Sequence, residues 1–220
     1  STIRLFGQEV DYPLESNLWQ LPLATQIDFL ESIAKAGCLS GRPQPEKFSD
    51  WIEWKLGARI AEEYMLPYNR KMWSIPLDQL GTYWLYKLPD VSFRETLKSC
   101  LERAAAGTLP AHGTFLYPKR YGYGEVWRRM GLALRDQLIT NCAVTKIDPK
   151  NRIVNDTYQY DWLVTTIPWP AWRGWNVLPR DIDEAVGSLV HTSIDVDYCP
   201  TNEVTKSHWL YEPSKKISYH

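Results

Sequence analysis

The spacing of apolar residues divides the chain into a helical stretch and a strand-rich stretch. Alternation over residues 3–12, interrupted at Gly7, predicts two short strands. In ATQIDFLESIAKAG, Ile27, Leu30, Ile33 and Ala34 recur on one helical face, and Gly37 offers a C-terminal stop. A loop rich in Pro and Gly follows, and Ser49 or Asp50 is placed to cap a second helix. That helix repeats Ile52, Leu56, Ile60 and Tyr64 at intervals of four, so one side is buried. Trp51, Trp54, Ala58, Ala61 and Met65 widen the apolar arc. Pro67 is expected to end the helix, because proline lacks an amide donor and clashes with the preceding turn. Large polar and aromatic side chains crowd that break in EEYMLPYNRKMW. They either lie on the surface or line a pocket.

Residues 77–87 and 92–106 also read as helical. Ser92, with Glu95 three residues on, predicts a capping box, and Gly107 an end. Beyond Gly107 the character changes. GTFLYPKR is strand-like, and GEVWRRMGLALRDQL is an amphipathic helix with Trp127, Met130, Leu134 and Leu138 on its buried face. CAVTKIDP, RIVN and YQYDWLVTTIP predict short strands, with a hairpin around PKN. DWLVTTIP has a continuous apolar centre, as a strand covered on both faces would. RDIDEAVGSL is a short helix with Asp181 and Asp183 in its first turn; VHTSIDVDYC alternates and SHWLYEP is strand-like.

Composition adds bounds. The chain has 220 residues, 44% hydrophobic and 23% charged, which is globular and sufficient for one large domain or two small ones. A formal net charge of -1 supplies no electrostatic attraction to nucleic acid or an anionic membrane. No apolar run reaches the roughly 18 residues that span a bilayer, and the N-terminal residues read as a strand, not a signal peptide. Cys38, Cys100, Cys142 and Cys199 are widely spaced and read as reduced packing residues of a cytoplasmic protein. The 11 Trp and 13 Tyr are the unusual feature; they suit a planar or sugar ligand, or a partner surface.

Few motifs carry chemistry on their own. Gly122 and Gly124 in YGYGEVW give G-x-G before a helix, but Trp127 fills the position where a dinucleotide fingerprint needs a small residue. The two glycines either let backbone approach a ligand or make a simple turn into the helix. His112, His191, His208 and His220 have no metal-ligand spacing, and no metal is expected. His191 and His208 are placed on strands. No G-x-S-x-G or Ser/His/Asp pattern is visible. Trp51, Trp54, Trp84, Trp127 and Trp162 read as core. Trp169, Trp172 and Trp175, three apart, read as a wrapped loop or an interface.

Taken in order, the segments resemble the flavin-dependent amine oxidase superfamily, and in particular its UDP-galactopyranose mutase branch. GQEVDYPLESNLWQLP resembles the strand entering that family's substrate domain. KFSDWIEWKLGARIAEEYMLPYNRKMW, with its Pro-Tyr-Asn, Lys and Trp, carries the most specific match. GTFLYPKRYGYGEVW, the AVTKID to TTIP strands and HWLYEP follow in the family's order.

The resemblance implies an α+β fold: a helical substrate-domain insert on a mostly antiparallel sheet. It divides the chain at residues 1–20, 21–107, 108–170 and 171–220. It also implies that this is the middle portion of a longer flavoenzyme, with the FAD fingerprint unit and a final flavin-contacting segment as partners from the same chain. FAD is then expected in the parent, not on this portion alone. The substrate is a small molecule, of nucleotide-sugar type, with self-association into a homodimer through exposed apolar surface. Carried over by position, Tyr12, Tyr64, Asn69 and Trp73 match nucleotide-contacting places, and Trp209 and Tyr211 match places near the diphosphate and sugar. Gly122, Gly124, Val144 and Thr166 match cofactor-side places. Three departures imply an altered substrate. Glu15 replaces a glutamine that contacts the nucleotide, Leu88 beside Lys87 replaces a diphosphate-clamping arginine, and Tyr121 replaces a glycine near the flavin. Alternatives are an oxidoreductase resembling protoporphyrinogen or amine oxidases, or a non-catalytic binding module.

Overall fold

The computed structural model describes residues 1–87, 92–107, 116–204 and 207–219. The fold is α+β, in two compact units: Ser1–Phe115 with Asp195–His220, and Leu116–Ile194. Among the described residues no helix is long and apolar enough to cross a membrane.

The first unit opens on β1 (Thr2–Leu5) and β2 (Gln8–Asp11). They pair antiparallel with Ile3 opposite Val10, so both side chains enter the core. Phe6 and Gly7 both take positive φ, which matches the twist of a two-residue hairpin turn. On its other edge β1 pairs with β6 (Leu210–Tyr211), in parallel, Ile3 opposite Tyr211. This pairing closes a loop of some two hundred residues and sets Tyr211 beside the N-terminal segment. The short helix α1 (Leu14–Asn17) then buries Leu14 under the sheet.

Helix α2 (Leu23–Ala34) buries Phe29 and Ile33, while Ile27 is 47% exposed. The helix packs on both α3 (Phe48–Ile60) and α5 (Phe93–Glu102), which turns the face containing Phe29 inward instead of the one containing Ile27. Gly37 has no left-handed φ; it is small because the Trp54 ring occupies the place of a side chain. Helix α3 (Phe48–Ile60) starts without a side-chain cap, since Ser49 Oγ donates to Asp50 Oδ1 instead. The start is set by Phe48, fully buried, whose amide donates to the Leu80 carbonyl at 2.9 Å. The expected core stripe Ile52, Leu56, Ile60 and Tyr64 is buried throughout.

Pro67 does not end the helix. Residues Ala61–Met65 form a π-helical turn, with the Leu66 amide bonded to the Ala61 carbonyl five residues back. The register shift puts Pro67 in the first turn of a new helix, α4 (Leu66–Trp73), where an amide donor is not required. Residues 77–87 form only two 3-10 turns, Leu77–Gln79 and Leu85–Lys87, because Gly81 bridges to Lys47 and draws the chain back across α3. Helix α5 (Phe93–Glu102) has the predicted capping box: Ser92 Oγ accepts from the Glu95 amide, and Glu95 Oε2 accepts from the Ser92 amide. It ends before Gly107, at Arg103 in the left-handed region.

The second unit holds α6 (Gly124–Leu134), a three-stranded antiparallel sheet of β3 (Ile147–Asp148), β4 (Ile153–Val154) and β5 (Tyr158–Gln159), and helices α7 (Trp169–Trp172) and α8 (Arg180–Gly187). Asp148 closes the predicted hairpin by accepting from the amides of Lys150 and Asn151. The face of α6 expected to be buried is exposed, with Trp127 at 60%. Trp162 is 91% exposed and residues 161–167 form no strand, since no described strand stands beside them to complete a ladder. Residues 116–120 and 190–199 are likewise irregular, and His191 and His208 are exposed outside any strand. Trp169, Trp172 and Trp175 contact one another in sequence, tilted and then edge-on, at 5.7 and 5.4 Å between ring centroids. Cys38 and Cys100 are half-buried, whereas Cys142 and Cys199 are exposed and do not pack. His112, His220 and Leu88 lie outside the described residues.

Candidate functional site

A cavity of about 240 Å³ opens in the first unit. It is built where several pieces of the chain meet. Helix α3 contributes Phe48, Trp51 and Lys55, which share one face at intervals of three and four. The π turn and α4 contribute Tyr64, Tyr68, Asn69 and Met72. The segment after β2 contributes Tyr12, Pro13 and Glu15, and β6 contributes Tyr211.

Four tyrosines form one aromatic wall. Tyr12 and Tyr211 stand 5.1 Å apart between centroids, Tyr68 meets Tyr211 edge-on at 5.2 Å, and Tyr64 meets Tyr68 at 6.0 Å. Burial raises the pKa of each phenol, pushing Tyr68 up to about 12. At neutral pH the wall is therefore uncharged, with hydroxyls that donate and accept.

Asn69 is 3% exposed. Its Nδ2 donates to the Met65 carbonyl at 2.8 Å, and its Oδ1 accepts from Trp73 Nε1 at 3.2 Å. Trp73 stands behind the cavity and not on its surface; it supports Asn69 and packs on the lining residue Trp84 at 5.5 Å. Trp209 is also outside, 59% exposed and tilted against Tyr211 at 6.3 Å. Of the six positions matched to a substrate, Tyr12, Tyr64, Asn69 and Tyr211 thus meet in one cavity, and Trp73 and Trp209 back it.

Two charged side chains line the cavity, Glu15 and Lys55. Burial holds the Glu15 carboxyl above its usual range, opposed by a hydrogen bond from its own amide and by the nearby Lys55 ammonium.

Lys71, the lysine of the Pro-Tyr-Asn, Lys and Trp run, was given no role by sequence, yet it ties the site together. Its Nζ donates to the carbonyls of Glu212, Ser214 and Tyr219 at 2.6, 2.9 and 2.7 Å. Burial among these groups lowers its pKa. The three bonds fasten the segment after Tyr211 to α4. Glu212 in turn is buried, with Oε1 accepting from the Ser214 amide and Arg4 Nη1 at 3.6 Å from Oε2. The available signal was spacing: Tyr64, Tyr68 and Lys71 fall at i, i+4 and i+7, on one helical face.

The cofactor-side candidates lie in the second unit and do not line one cavity among the described residues. Gly122 has φ +69 and Gly124 opens α6 into free space. Tyr121, at φ +67, takes a backbone conformation that glycine adopts at least cost. Val144 is half-buried in an open groove with Tyr158 and Leu163, and Thr166 is exposed. The first turn of α6 carries Glu125, whose carboxyl is held down at about 2 by hydrogen bonds from Arg128 and Arg129. A carboxylate there opposes a phosphate at this helix end. These residues do not by themselves fit a flavin dinucleotide.

The fold is that of an α+β chain whose helical part and small mixed sheet enclose a tyrosine-lined cavity. No family model matches the sequence. Among solved structures, the chain is similar to a crystal structure of reduced UDP-galactopyranose mutase, with a TM-score of 0.79 at 19% identity. The match covers 97% of this chain and 49% of that one, so the chain spans about half its length. The likeness establishes a UDP-galactopyranose mutase-like fold.

Proposed function

We propose that this chain is the substrate-binding portion of an FAD-dependent enzyme resembling UDP-galactopyranose mutase, and that the tyrosine-lined cavity holds the nucleoside part of a nucleotide-sugar-like substrate. The observation that carries the reading is the meeting of Tyr12, Tyr64, Tyr68 and Tyr211 with Asn69 on one concave surface. Flat neutral rings bind flat ligands by stacking, at about 1–3 kcal/mol per base. Trp51 and Trp84 line the same cavity, so occupancy changes their fluorescence. The flavin is assigned to the longer parent protein. The part of this chain is to bind and orient the substrate and to exclude water from one end of it.

Titration of the chain with nucleoside diphosphates should quench tryptophan emission saturably, and Tyr68→Ala should weaken the affinity by about tenfold or more. The parent protein should carry a flavin absorption band and, once reduced with dithionite, convert a nucleoside-diphosphate galactopyranose to the furanose form. A parent protein without flavin removes the enzymatic reading.

Glu15 favours a second reading. A buried carboxylate repels a diphosphate placed beside it, and no arginine is among the described residues that line the cavity. The substrate is then an amine or porphyrinogen, oxidised with release of peroxide, and a peroxide assay on the parent separates the two.

A further inference from the structure

Glu15 and Lys55 are the two charged groups on the cavity wall, and they lie close enough to stabilise one another. The rest of the described wall is neutral: phenols, indoles, apolar side chains, and an Asn69 amide engaged by Met65 and Trp73. An ionised carboxylate only accepts hydrogen bonds, through two oxygens with about four lone-pair sites, and an ammonium only donates, through three N–H groups. A ligand edge facing this pair must therefore present donors to Glu15 and an acceptor to Lys55. Two adjacent N–H groups match the two carboxylate oxygens best, as parallel donors do wherever a carboxylate is gripped at both oxygens.

Nucleobase edges differ in this order. Uracil offers one N–H between two carbonyls, so one carbonyl oxygen is set against a carboxylate oxygen. Cytosine offers an amino group beside a bare ring nitrogen. Guanine offers a carbonyl followed by two adjacent N–H groups.

The geometry points to a guanine-type headgroup in this cavity, with Glu15 accepting from its two neighbouring N–H groups, Lys55 donating to its carbonyl, and the wall of Tyr12, Tyr68 and Tyr211 against one of its faces. The inference rests on the nucleotide-binding reading above and names the base within it. It makes Glu15 the residue that sets specificity. Binding then needs the ionised carboxyl. The groups facing it are Lys55, its own amide, and the Tyr12 and Tyr64 phenols, which stay neutral to alkaline pH. Affinity should fall on acidification through the raised pKa of Glu15.

The test is calorimetric titration of the chain with guanosine, cytidine and uridine, repeated with Glu15→Gln. Guanosine should bind about tenfold or more tighter than uridine, from the discrimination that one doubly bonded edge supplies. Glu15→Gln should bring guanosine down to the level of uridine and leave uridine no weaker. Should Glu15→Gln fail to fold, Lys55→Met carries the test, lowering guanosine affinity more than uridine affinity. Uridine binding as tightly as guanosine to the unchanged chain overturns this inference and leaves the nucleotide-binding reading standing. A simple organic ammonium displacing guanosine at equal affinity overturns it in favour of the amine reading. Failure of every nucleoside to bind removes both this inference and the nucleotide-binding reading beneath it.

Discussion

Replacing Gly57 by alanine should be among the most damaging single-methyl changes in the chain. Gly57 interrupts α3 at φ +77 and ψ 160, a region that residues with a side chain rarely occupy. Holding alanine there costs about 1–3 kcal/mol. The added Cβ would also stand 2.5 Å from the Ser32 carbonyl oxygen and 2.8 Å from its Oγ. That neighbour has little freedom, because Ser32 is in α2 and its Oγ accepts from the Arg59 amide at 2.9 Å. Overpacking of this kind costs a further 1–3 kcal/mol or so. Reduced freedom of the unfolded chain returns about 0.4–1 kcal/mol. The net loss is about 3 kcal/mol, a fall in Tm of about 10 °C for a unit of this size. Gly7→Ala is the control: it also has positive φ, +79, but its Cβ would meet nothing within 4 Å. It should cost only about 1–2 kcal/mol. Thermal unfolding followed by circular dichroism gives both values. Equal stability of the two variants would show that the approach of α2 to α3 is not what fixes Gly57.

Lys71→Met should free the segment after Tyr211. Each bond from a charged donor contributes about 1.5–3 kcal/mol before desolvation is offset, so a net loss of about 2–3 kcal/mol is expected from the three. Hydrogen exchange at residues 210–219 should accelerate more than in α2; unchanged protection there would refute the tether. The tyrosine wall predicts alkaline instability. Its folded pKa values lie above the unfolded value, so stability is full below pH 10 and lost as pH rises, between pH 10.0 and about 12 for Tyr68. Tyrosinate absorbance should show these four phenols ionising only together with unfolding; their ionisation in the folded chain near pH 10.0 would contradict the burial.

What could be read from sequence followed from local physics. The stripe at Ile52, Leu56, Ile60 and Tyr64, the hairpin at Gly7, the Ser92 capping box and the turn at Asp148 each depend on a few neighbouring residues. The errors came from long-range competition. Ser49 does not cap because burial of Phe48 starts the helix earlier. Ile27 is exposed because α2 answers to two partners. Trp127 and Trp162 carry the pattern of buried elements but meet no covering layer among the described residues. Of the positions matched by resemblance, Tyr12, Tyr64, Asn69 and Tyr211 line the cavity; Tyr68 and Lys71 stood in the same motif without a role, and the place of Lys55 required the three-dimensional register of α3.

That register explains why the cavity lies where it does. In an unbroken helix the four-residue repeat would carry the core stripe from Ile52 through Tyr64 directly to Tyr68 and Met72. The π turn inserts one residue into that repeat, and each residue is about 100° of rotation. Of the stripe before the turn, Ile52 and Ile60 stay in the core while Leu56 also reaches the cavity; Tyr68, Asn69 and Met72, after it, face the cavity. Tyr64, inside the turn, belongs to both. Pro67 is compatible with this arrangement only because the same turn removes the need for its amide. A proline that looked like a helix stop therefore marks the register change that brings Tyr68 and Met72 onto the cavity wall, positions that the helical repeat alone would have assigned to the core.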